Sequence, residues 1–412
     1  MCWRCVVADY SVSIYLMVFS YYTQCMGVTI SSQDAQEGDI FICLPGGERY
    51  IADALEKGVR QVLRLNRLEA AKFANDYYQN PSVQLNVVGV TGTNGKTTVT
   101  WLIHHAINQL GGKSRLQGTL NSRLTTPESP ETLGAMASHL KAGGTHFVME
   151  VSSHAIAQKR IEGISFDVRC LTNITHDHLD YHGSFDRYSQ VKYSFLNSAM
   201  PVNRVDGNVG IHMSVPSNPT LLGAFNIENL KCAKQSLLLL GYDEFEIDAA
   251  LSRIAGPPGR FQCISKKPLV IVDYAHTPHA LDCVLNSARL LLPDEGRLYV
   301  VVGCGGNRDI EKRPEMGKIS TTSADYAIFT QDNPRFENAD AIISHMMAGV
   351  SDHSRVTVQP DRQIAIQYGI DQLRPCDGIV IAGKGHESEQ CIQGESIPFS
   401  DIECVTEILN KK

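Results

Sequence analysis

The chain has 412 residues, 43% of them hydrophobic and 20% charged, with a net charge of -7 at pH 7. That length leaves room for two or three domains with cores of their own. The acidic balance excludes a coat that tracks nucleic-acid phosphates, which would be basic overall. The 12 cysteines show no spaced framework, and Cys2 and Cys5 form a CxxC with no second pair nearby. Reduced thiols in a cytoplasmic protein are therefore expected, not zinc or disulfides.

Taken in chain order, residues Val6 to Tyr22 are apolar and aromatic but interrupted by Asp9, Ser and Tyr. The unbroken run Ile14 to Phe19 is too short to span a bilayer. A buried first strand or helix, or a mis-assigned start, fits this stretch better than the signal peptide suggested by Arg4 ahead of it. A first block, residues 1–82, continues through Gly38–Gly47 to an amphipathic helix over Tyr50–Gly58 and a short strand.

The second block, 83–256, opens with Val87-Val88-Gly89-Val90-Thr91-Gly92-Thr93-Asn94-Gly95-Lys96-Thr97-Thr98. A β-branched strand breaks into a Gly/Thr loop and enters a helix from Thr97 to about Leu110. This is the layout that holds a nucleotide triphosphate. Gly92 and Gly95 leave backbone N–H groups free for phosphate oxygens, and the helix start adds its positive dipole end. Lys96 reaches the β/γ-phosphates, and the Thr97 or Thr98 hydroxyl holds Mg²⁺. Val90 stands where a strict Walker loop has its first glycine, so the loop is a variant. Apolar runs at His146–Val151 and Val168–Ile174 alternate with helical stretches and predict a parallel sheet. Glu150, at the end of the first run, is placed to hold the Mg²⁺ that bridges phosphates, unless it is merely a strand-end acid facing water. Thr175 to His182 packs three histidines and two aspartates into eight residues, and His178 is the best candidate for a second metal ligand. Pro201 to Pro219 has no clear period and is predicted to be a loop.

The third block, 257–412, follows the linker-like Gly256-Pro257-Pro258-Gly259-Arg260. Strands are predicted at Leu269–Tyr274, Leu298–Gly303, Tyr326–Thr330, Val356–Val358 and Gly378–Ala382, with helices such as Ala280–Leu292 and Ala341–Val350 between them. This reads as a second doubly wound α/β unit, whose ligands sit beyond the carboxyl ends of the strands. Asp273, at such an end, suits a ribose hydroxyl, and Tyr274 a base, or the pair is a plain strand-to-helix turn. Arg308 and Arg335 offer planar two-pronged donors to carboxylates, and Glu387 the charge for an ammonium. Together they describe an amino-acid ligand; ordinary surface ion pairs are the bland alternative.

Seven motifs in order then resemble those of the Mur ligase family, the ATP-dependent amide ligases of peptidoglycan precursor synthesis. They are Thr91–Thr98, Glu150–His154, His178–Gly183, Phe225-Asn226, Gly259–Phe261, Asp273–Pro278 and Gly303–Asp309. The match is closest to the members that add the third residue of the stem peptide. The resemblance implies a three-domain α/β architecture: a small N-terminal domain, a central P-loop parallel-sheet ATPase domain and a C-terminal Rossmann-like domain. It implies ATP and Mg²⁺ as cofactors, with Gly92, Thr93, Asn94, Gly95, Lys96, Thr97, Thr98, Asn226, Arg260 and Asp273 at the nucleotide, and Thr97, Glu150 and His178 at the metal. Lys96, Glu150, His178 and Lys192 would be the catalytic set. Lys192 falls where the family carries a carbamylated lysine (N6-carboxylysine) that helps hold the second Mg²⁺. Ser32, Thr125, Thr126, Ser152, Gln158 and Arg160 match positions that bind UDP-MurNAc-L-Ala-D-Glu. Arg308, Asp332, Asn333, Arg335, Gly383 and Glu387 match the pocket for meso-diaminopimelate, whose second carboxylate would satisfy Arg335. A monomer in the cytoplasm is expected, with no nucleic-acid or membrane partner. Addition of L-lysine or another amino acid, and a non-catalytic nucleotide-binding relative, stay open as alternatives. Two departures stand out. The stretch between Lys192 and Leu222 is several dozen residues shorter than usual, and Ser31-Ser32-Gln33 replaces a common Asp-Ser-Arg.

Overall fold

The structure is a computed structural model, described here for residues 7–9, 27–197 and 203–411. The reading of Val6–Tyr22 and of the Cys2/Cys5 pair lies outside these residues, save that Val7–Asp9 forms a strand. The cysteines among the described residues are free thiols. Among the described residues no helix is long and apolar enough to cross a membrane.

Three sheets follow one another along the chain. The first contains β1 (Val7–Asp9), β2 (Val28–Thr29), β3 (Ile40–Cys43) and β4 (Gln61–Arg64), all parallel, in the order β1-β4-β3-β2. The second contains β5 (Asn86–Thr91), β6 (Ser114–Gln117), β7 (His146–Glu150), β8 (Val168–Leu171) and β9 (Asn203–Asp206), parallel in the order β6-β7-β5-β8-β9. The third contains β10 (Gln262–Lys266), β11 (Leu269–Asp273), β12 (Leu298–Val302), β13 (Tyr326–Phe329), β14 (Val356–Val358) and β15 (Gly378–Ala382), in the order β10-β11-β15-β12-β13-β14. Only β10 runs antiparallel in it. A hairpin of β16 (Glu389–Ile392) and β17 (Glu395–Pro398) follows.

The interior strands of each large sheet are buried on both faces, which is why they are near-continuous apolar runs. In the central sheet Val88 and Val90 face the helix Lys96–Gln109 through Val99, Leu102, Ile103 and Ala106, while Val87, Phe147 and Met149 face a second core with Leu133, Phe166 and Phe195. The i, i+3, i+4, i+7 spacing of Val99, Leu102, Ile103 and Ala106 gives that helix its inward stripe. Each of these larger side chains contributes about 1.5–3 kcal/mol by leaving water. The helix ends at Leu110 before Gly111, whose φ of +84° suits a left-handed cap.

The predicted loop over Pro201–Pro219 is corrected by β9, which pairs parallel with β8 from Asn203↔Val168 to Asp206↔Leu171. It is an edge strand in which Val205 alone is buried, so its sequence lacks the apolar run of an interior strand. Beyond it the chain is tied down by polar contacts. Asn218 Nδ2 donates to the Leu251 and Ile254 carbonyls (2.7 and 2.8 Å), and the buried Lys234 donates to the Ser214 carbonyl (3.1 Å).

Candidate active site

In the central sheet β5 lies between β7 and β8, so the strand order reverses at its carboxyl end and the loops leaving β5, β7 and β8 open on one crevice. Val90 is fully buried within β5, so the glycine of a strict Walker loop would fall in the strand, and the first loop glycine is Gly92. Gly92 (φ +148°) admits no side chain: a Cβ would lie 1.8 Å from Thr172 Oγ1. At Gly95 (φ +85°) a Cβ would lie 2.3 Å from Asn229 Oδ1. Gly95 is also the N-cap of the helix Lys96–Gln109, and no side chain caps it, so the first helical N–H groups face the crevice. The loop is braced by residues after β8, which sequence reasoning missed: Asn173 Oδ1 accepts from Asn94 N (3.0 Å) and Thr172 Oγ1 donates to Asn94 O (2.5 Å).

Two amines converge on this loop. Lys96 Nζ donates to the Gly92 and Thr93 carbonyls at 2.9 Å each, and the buried Lys192 Nζ donates to Gly92 O at 2.7 Å. Burial lowers the pKa of Lys96 against the opposing pull of Glu150 and Asp177. Burial, reinforced by the charge of Lys96, holds Lys192 well below the usual lysine range.

Glu150, 2% exposed, ends β7 beside the helix start. Thr97 Oγ1 donates to its carboxylate (3.1 and 3.2 Å), as do Thr119 N (2.9 Å) and Thr119 Oγ1 (3.2 Å). A hydroxyl and a carboxylate at this spacing are hard oxygen donors, so the pair fits Mg²⁺. Among the described residues no three His, Cys, Asp or Glu side chains gather as a complete metal site. A cation at Thr97–Glu150 would therefore be shared with phosphate oxygens. His178 lies farther along the same crevice, on a left-handed backbone (φ +53°), with Nε2 3.3 Å from Asp177 Oδ2 and its ring against His154. Burial lowers its pKa, which favours the neutral, metal-binding imidazole.

Next to Glu150, Thr126 Oγ1 donates to its carbonyl (2.9 Å), and Arg160 Nη1 donates to Thr126 O (3.0 Å). Arg160 Nε and Nη2 donate to Gln158 Oε1 (2.9 and 2.6 Å). Ser152 caps the helix Ser153–Ala157, and Thr125 Oγ1 is 3.2 Å from Thr119 Oγ1. Ser32 lies apart in the N-terminal unit, buried, its carbonyl accepting from Lys57 Nζ (2.7 Å).

The third sheet has its own switch point, because β15 returns between β11 and β12. The carboxyl end of β11 carries Asp273, and the loops leaving β12, β13 and β15 carry Arg308, Asp332–Arg335 and Gly383–Glu387. Asp273 ends β11 and lines the cleft. Its two oxygens accept backbone N–H groups of Phe261 and Ala275 (2.6 Å each), which fixes the turn into the next helix. Tyr274 carries the Arg260 guanidinium 4.3 Å above its ring, in a cation–π contact. Arg260 Nη2 reaches Thr97 Oγ1 at 3.2 Å and so ties this unit to the phosphate-type loop. Asn226 bonds inward, to Leu222 O (2.7 Å) and Asn229 Nδ2 (2.8 Å).

Arg335 has a left-handed backbone (φ +53°), held by Arg335 N donating to Cys391 O (2.9 Å), and its Nη1 donates to Gly306 O (2.6 Å). Asn333 Nδ2 donates to Glu387 Oε2 (2.8 Å). Burial would raise the Glu387 carboxyl, but Lys384 beside it brings the pKa below the usual value, so the group is an anion. Burial raises Asp332. Gly383 touches it, since a Cβ there would lie 2.6 Å from Asp332 Oδ2.

One cleft of about 750 Å³ joins the two halves. It is lined by Thr93–Thr98, Glu150 and His178 on one wall, Thr125, Thr126, Ser152 and Arg160 on the second, and Arg260, Asp273, Arg308, Asp332, Asn333, Arg335, Gly383 and Glu387 on the third. Gly92, Lys192 and Asn226 stand behind the first wall, Gln158 behind Arg160. Ser32 is not among the lining residues.

Residues 90–205 match the model of the Mur ligase middle domain, and residues 259–385 that of the Mur ligase, glutamate ligase domain. The chain is 34% identical over 465 positions to the UDP-N-acetylmuramoyl-L-alanyl-D-glutamate–2,6-diaminopimelate ligase of Syntrophomonas wolfei, covering 94% of this chain and 95% of that protein. It is 35% identical over 456 positions to the ligase of the same name from Pseudomonas aeruginosa, with coverage of 91% and 93%. The 465 aligned positions outnumber the 412 residues here, so that relative carries residues this chain lacks. A solved structure of a ligase of the same name superposes with a TM-score of 0.60 at 28% identity, covering 94% of this chain and 95% of that one. With identity of this level along nearly its whole length, the chain belongs to the Mur ligase family.

Proposed function

We propose that the chain is an ATP-dependent ligase that forms the amide bond between UDP-MurNAc-L-Ala-D-Glu and meso-2,6-diaminopimelate, acting as a cytoplasmic monomer with units bounded at 1–82, 83–256 and 257–412. The observation that carries this reading is the single cleft in which a phosphate-type loop at Lys96 faces an amino-acid-type pocket at Arg335 and Glu387. Relatives of 34 and 35% identity are ligases named for these two substrates, which supports the reading.

The terminal carboxylate of the nucleotide precursor attacks the γ-phosphorus of ATP, giving an acyl phosphate and ADP. The amine of the acceptor then attacks the acyl carbon, and phosphate leaves from the tetrahedral intermediate. Loop N–H groups and Lys96 hold the triphosphate and offset the charge that develops on it. Arg160, Thr126 and Ser152 line the same cleft beside Glu150, where the precursor's peptide would reach the phosphate. Arg335 and Arg308 would clamp acceptor carboxylates, and Glu387 an ammonium. Mg²⁺ held by Thr97, Glu150 and His178 would supply charge neutralisation at the phosphates. The desolvated Lys192 is biased to the free amine, the form that adds CO₂ to become a carbamate, and the added carboxylate would give the site another oxygen ligand. Arg260, bridging Thr97 and Tyr274, would keep the two halves closed and limit water's access to the acyl phosphate.

The test is ADP release by purified protein with Mg²⁺ and ATP. Release should require both the precursor and diaminopimelate. Arg335→Ala should lower kcat/KM for diaminopimelate about 10- to 100-fold, the loss of a charged hydrogen bond, with KM for ATP unchanged. Release unaffected by omitting either partner would overturn the scheme. Faster turnover with L-lysine would overturn the acceptor assignment.

A further inference from the structure

Lys384 is 0% exposed, does not line the cleft, and was not singled out among the expected site residues. A buried ammonium is costly unless each proton is satisfied. Here each is. Lys384 Nζ donates to Glu389 O (2.6 Å), Glu387 Oε2 (2.9 Å) and Asn333 Oδ1 (3.2 Å). The three acceptors belong to three chain segments: the loop after β13, the loop after β15, and the start of β16. A lysine with all three protons committed has none left for a ligand.

Two of its partners, Asn333 and Glu387, line the cleft on the acceptor side. Asn333 Oδ1 accepts from Lys384 and also from Cys391 N (2.9 Å), which fixes the amide so that Nδ2 points to Glu387. Both hydrogen bonds on Glu387, from Lys384 and from Asn333, fall on Oε2. Among the described residues none falls on Oε1. The carboxylate is thus pinned at one oxygen and offers the other.

We infer that Lys384 is a positioning residue for acceptor recognition, aiming Glu387 Oε1 at the ammonium group of the incoming diamino acid. It touches neither substrate nor reacting atoms. It acts through Glu387 and Asn333, and the inference rests on the reading of this pocket as the acceptor site.

The test compares diaminopimelate with 2-aminopimelate, which keeps both carboxylates and lacks the distal amine. The wild-type protein should prefer diaminopimelate. Lys384→Met, which keeps much of the stem and removes the charge, should lower the ratio of the two kcat/KM values about tenfold, with KM for ATP unchanged. Lys384→Arg keeps the charge but replaces a point donor by a planar fork, and should lower the ratio by less. A drop equal for both amino acids, or an unchanged ratio in folded variants, overturns the inference. Should Lys384→Met not fold, the ratio of Lys384→Arg decides alone. Wild-type protein that does not turn over ATP with diaminopimelate would sink the acceptor reading itself, and the role of Lys384 with it.

Discussion

Glu150→Gln separates what Glu150 does for the fold from what it does for chemistry. The carboxylate is nearly inaccessible and accepts from Thr97 Oγ1, Thr119 N and Thr119 Oγ1. Thr119 N–H is a fixed donor at 2.9 Å from Oε1, so a glutamine amide would set its oxygen there and its NH₂ at the Oε2 position. The two hydroxyls facing that NH₂ can turn: Thr119 Oγ1 has Thr125 Oγ1 at 3.2 Å to take its hydrogen. Stability should therefore fall by only about 1 kcal/mol, one hydrogen bond's net worth. What is lost is a negative charge beside Thr97. If that charge holds a cation at the triphosphate, kcat/KM for ATP should fall about 100-fold, or about 2.7 kcal/mol. The Mg²⁺ concentration for half-maximal rate should rise. The assay is ADP release across a Mg²⁺ titration, with thermal unfolding in parallel. A folded variant with wild-type activity and an unshifted Mg²⁺ curve would refute the assignment of Glu150, and a variant that unfolds would refute the packing argument.

Two further outcomes follow from groups away from the cleft. Arg362 and Asp401 are both fully buried and joined by two contacts of 2.7 Å, so Arg362→Met, which strands the carboxylate, should cost about 3–5 kcal/mol, with Asp401→Asn added to it recovering part; an unchanged urea midpoint would contradict this. Burial first, then the neighbouring His105 and His139, lower His104 to about 4, and its ring bonds to Ser114 Oγ and Asn108 Nδ2 in the neutral form. The unfolded chain therefore binds the proton first, so this contribution is whole above pH 6.5 and is lost as pH falls from about 6.5 to about 4. The unfolding temperature should drop across that window, and less steeply in His104→Gln; parallel curves would dismiss His104 as a cause.

The interior of the two large sheets was readable in the chain because strands buried on both faces leave unbroken apolar runs. β11, β12 and β13 begin where the sequence predicts and end one residue short, and β14 and β15 match at both ends. The phosphate-type loop was readable too, since its geometry demands glycine at two places a Cβ cannot enter. Elements stabilised by distant polar contacts were not. β9 lies at a sheet edge with Asn203 and Arg204 exposed, and β17 is exposed along its whole length, so neither carries a periodic signal. Part of what Asp273 does was hidden for a related reason. A strand-end carboxylate looks the same in sequence whether or not it also accepts a backbone N–H from twelve residues before it, as Asp273 does from Phe261. Lys384 sits in the sequence between Gly383 and Gly385 with nothing to mark it, because its three partners come together only once β13, β15 and β16 are in place.

The left-handed backbone at Arg335 narrows the routes by which this site could change its diet. Replacement by valine, isoleucine or threonine would incur a backbone penalty on top of the missing guanidinium, whereas glycine or asparagine would lose the guanidinium and its bond to Gly306 O without that penalty. Drift toward another acceptor would thus travel through a small set of tolerated intermediates, and Arg335→Asn is the replacement that reports the side chain's worth with the conformational cost stripped away.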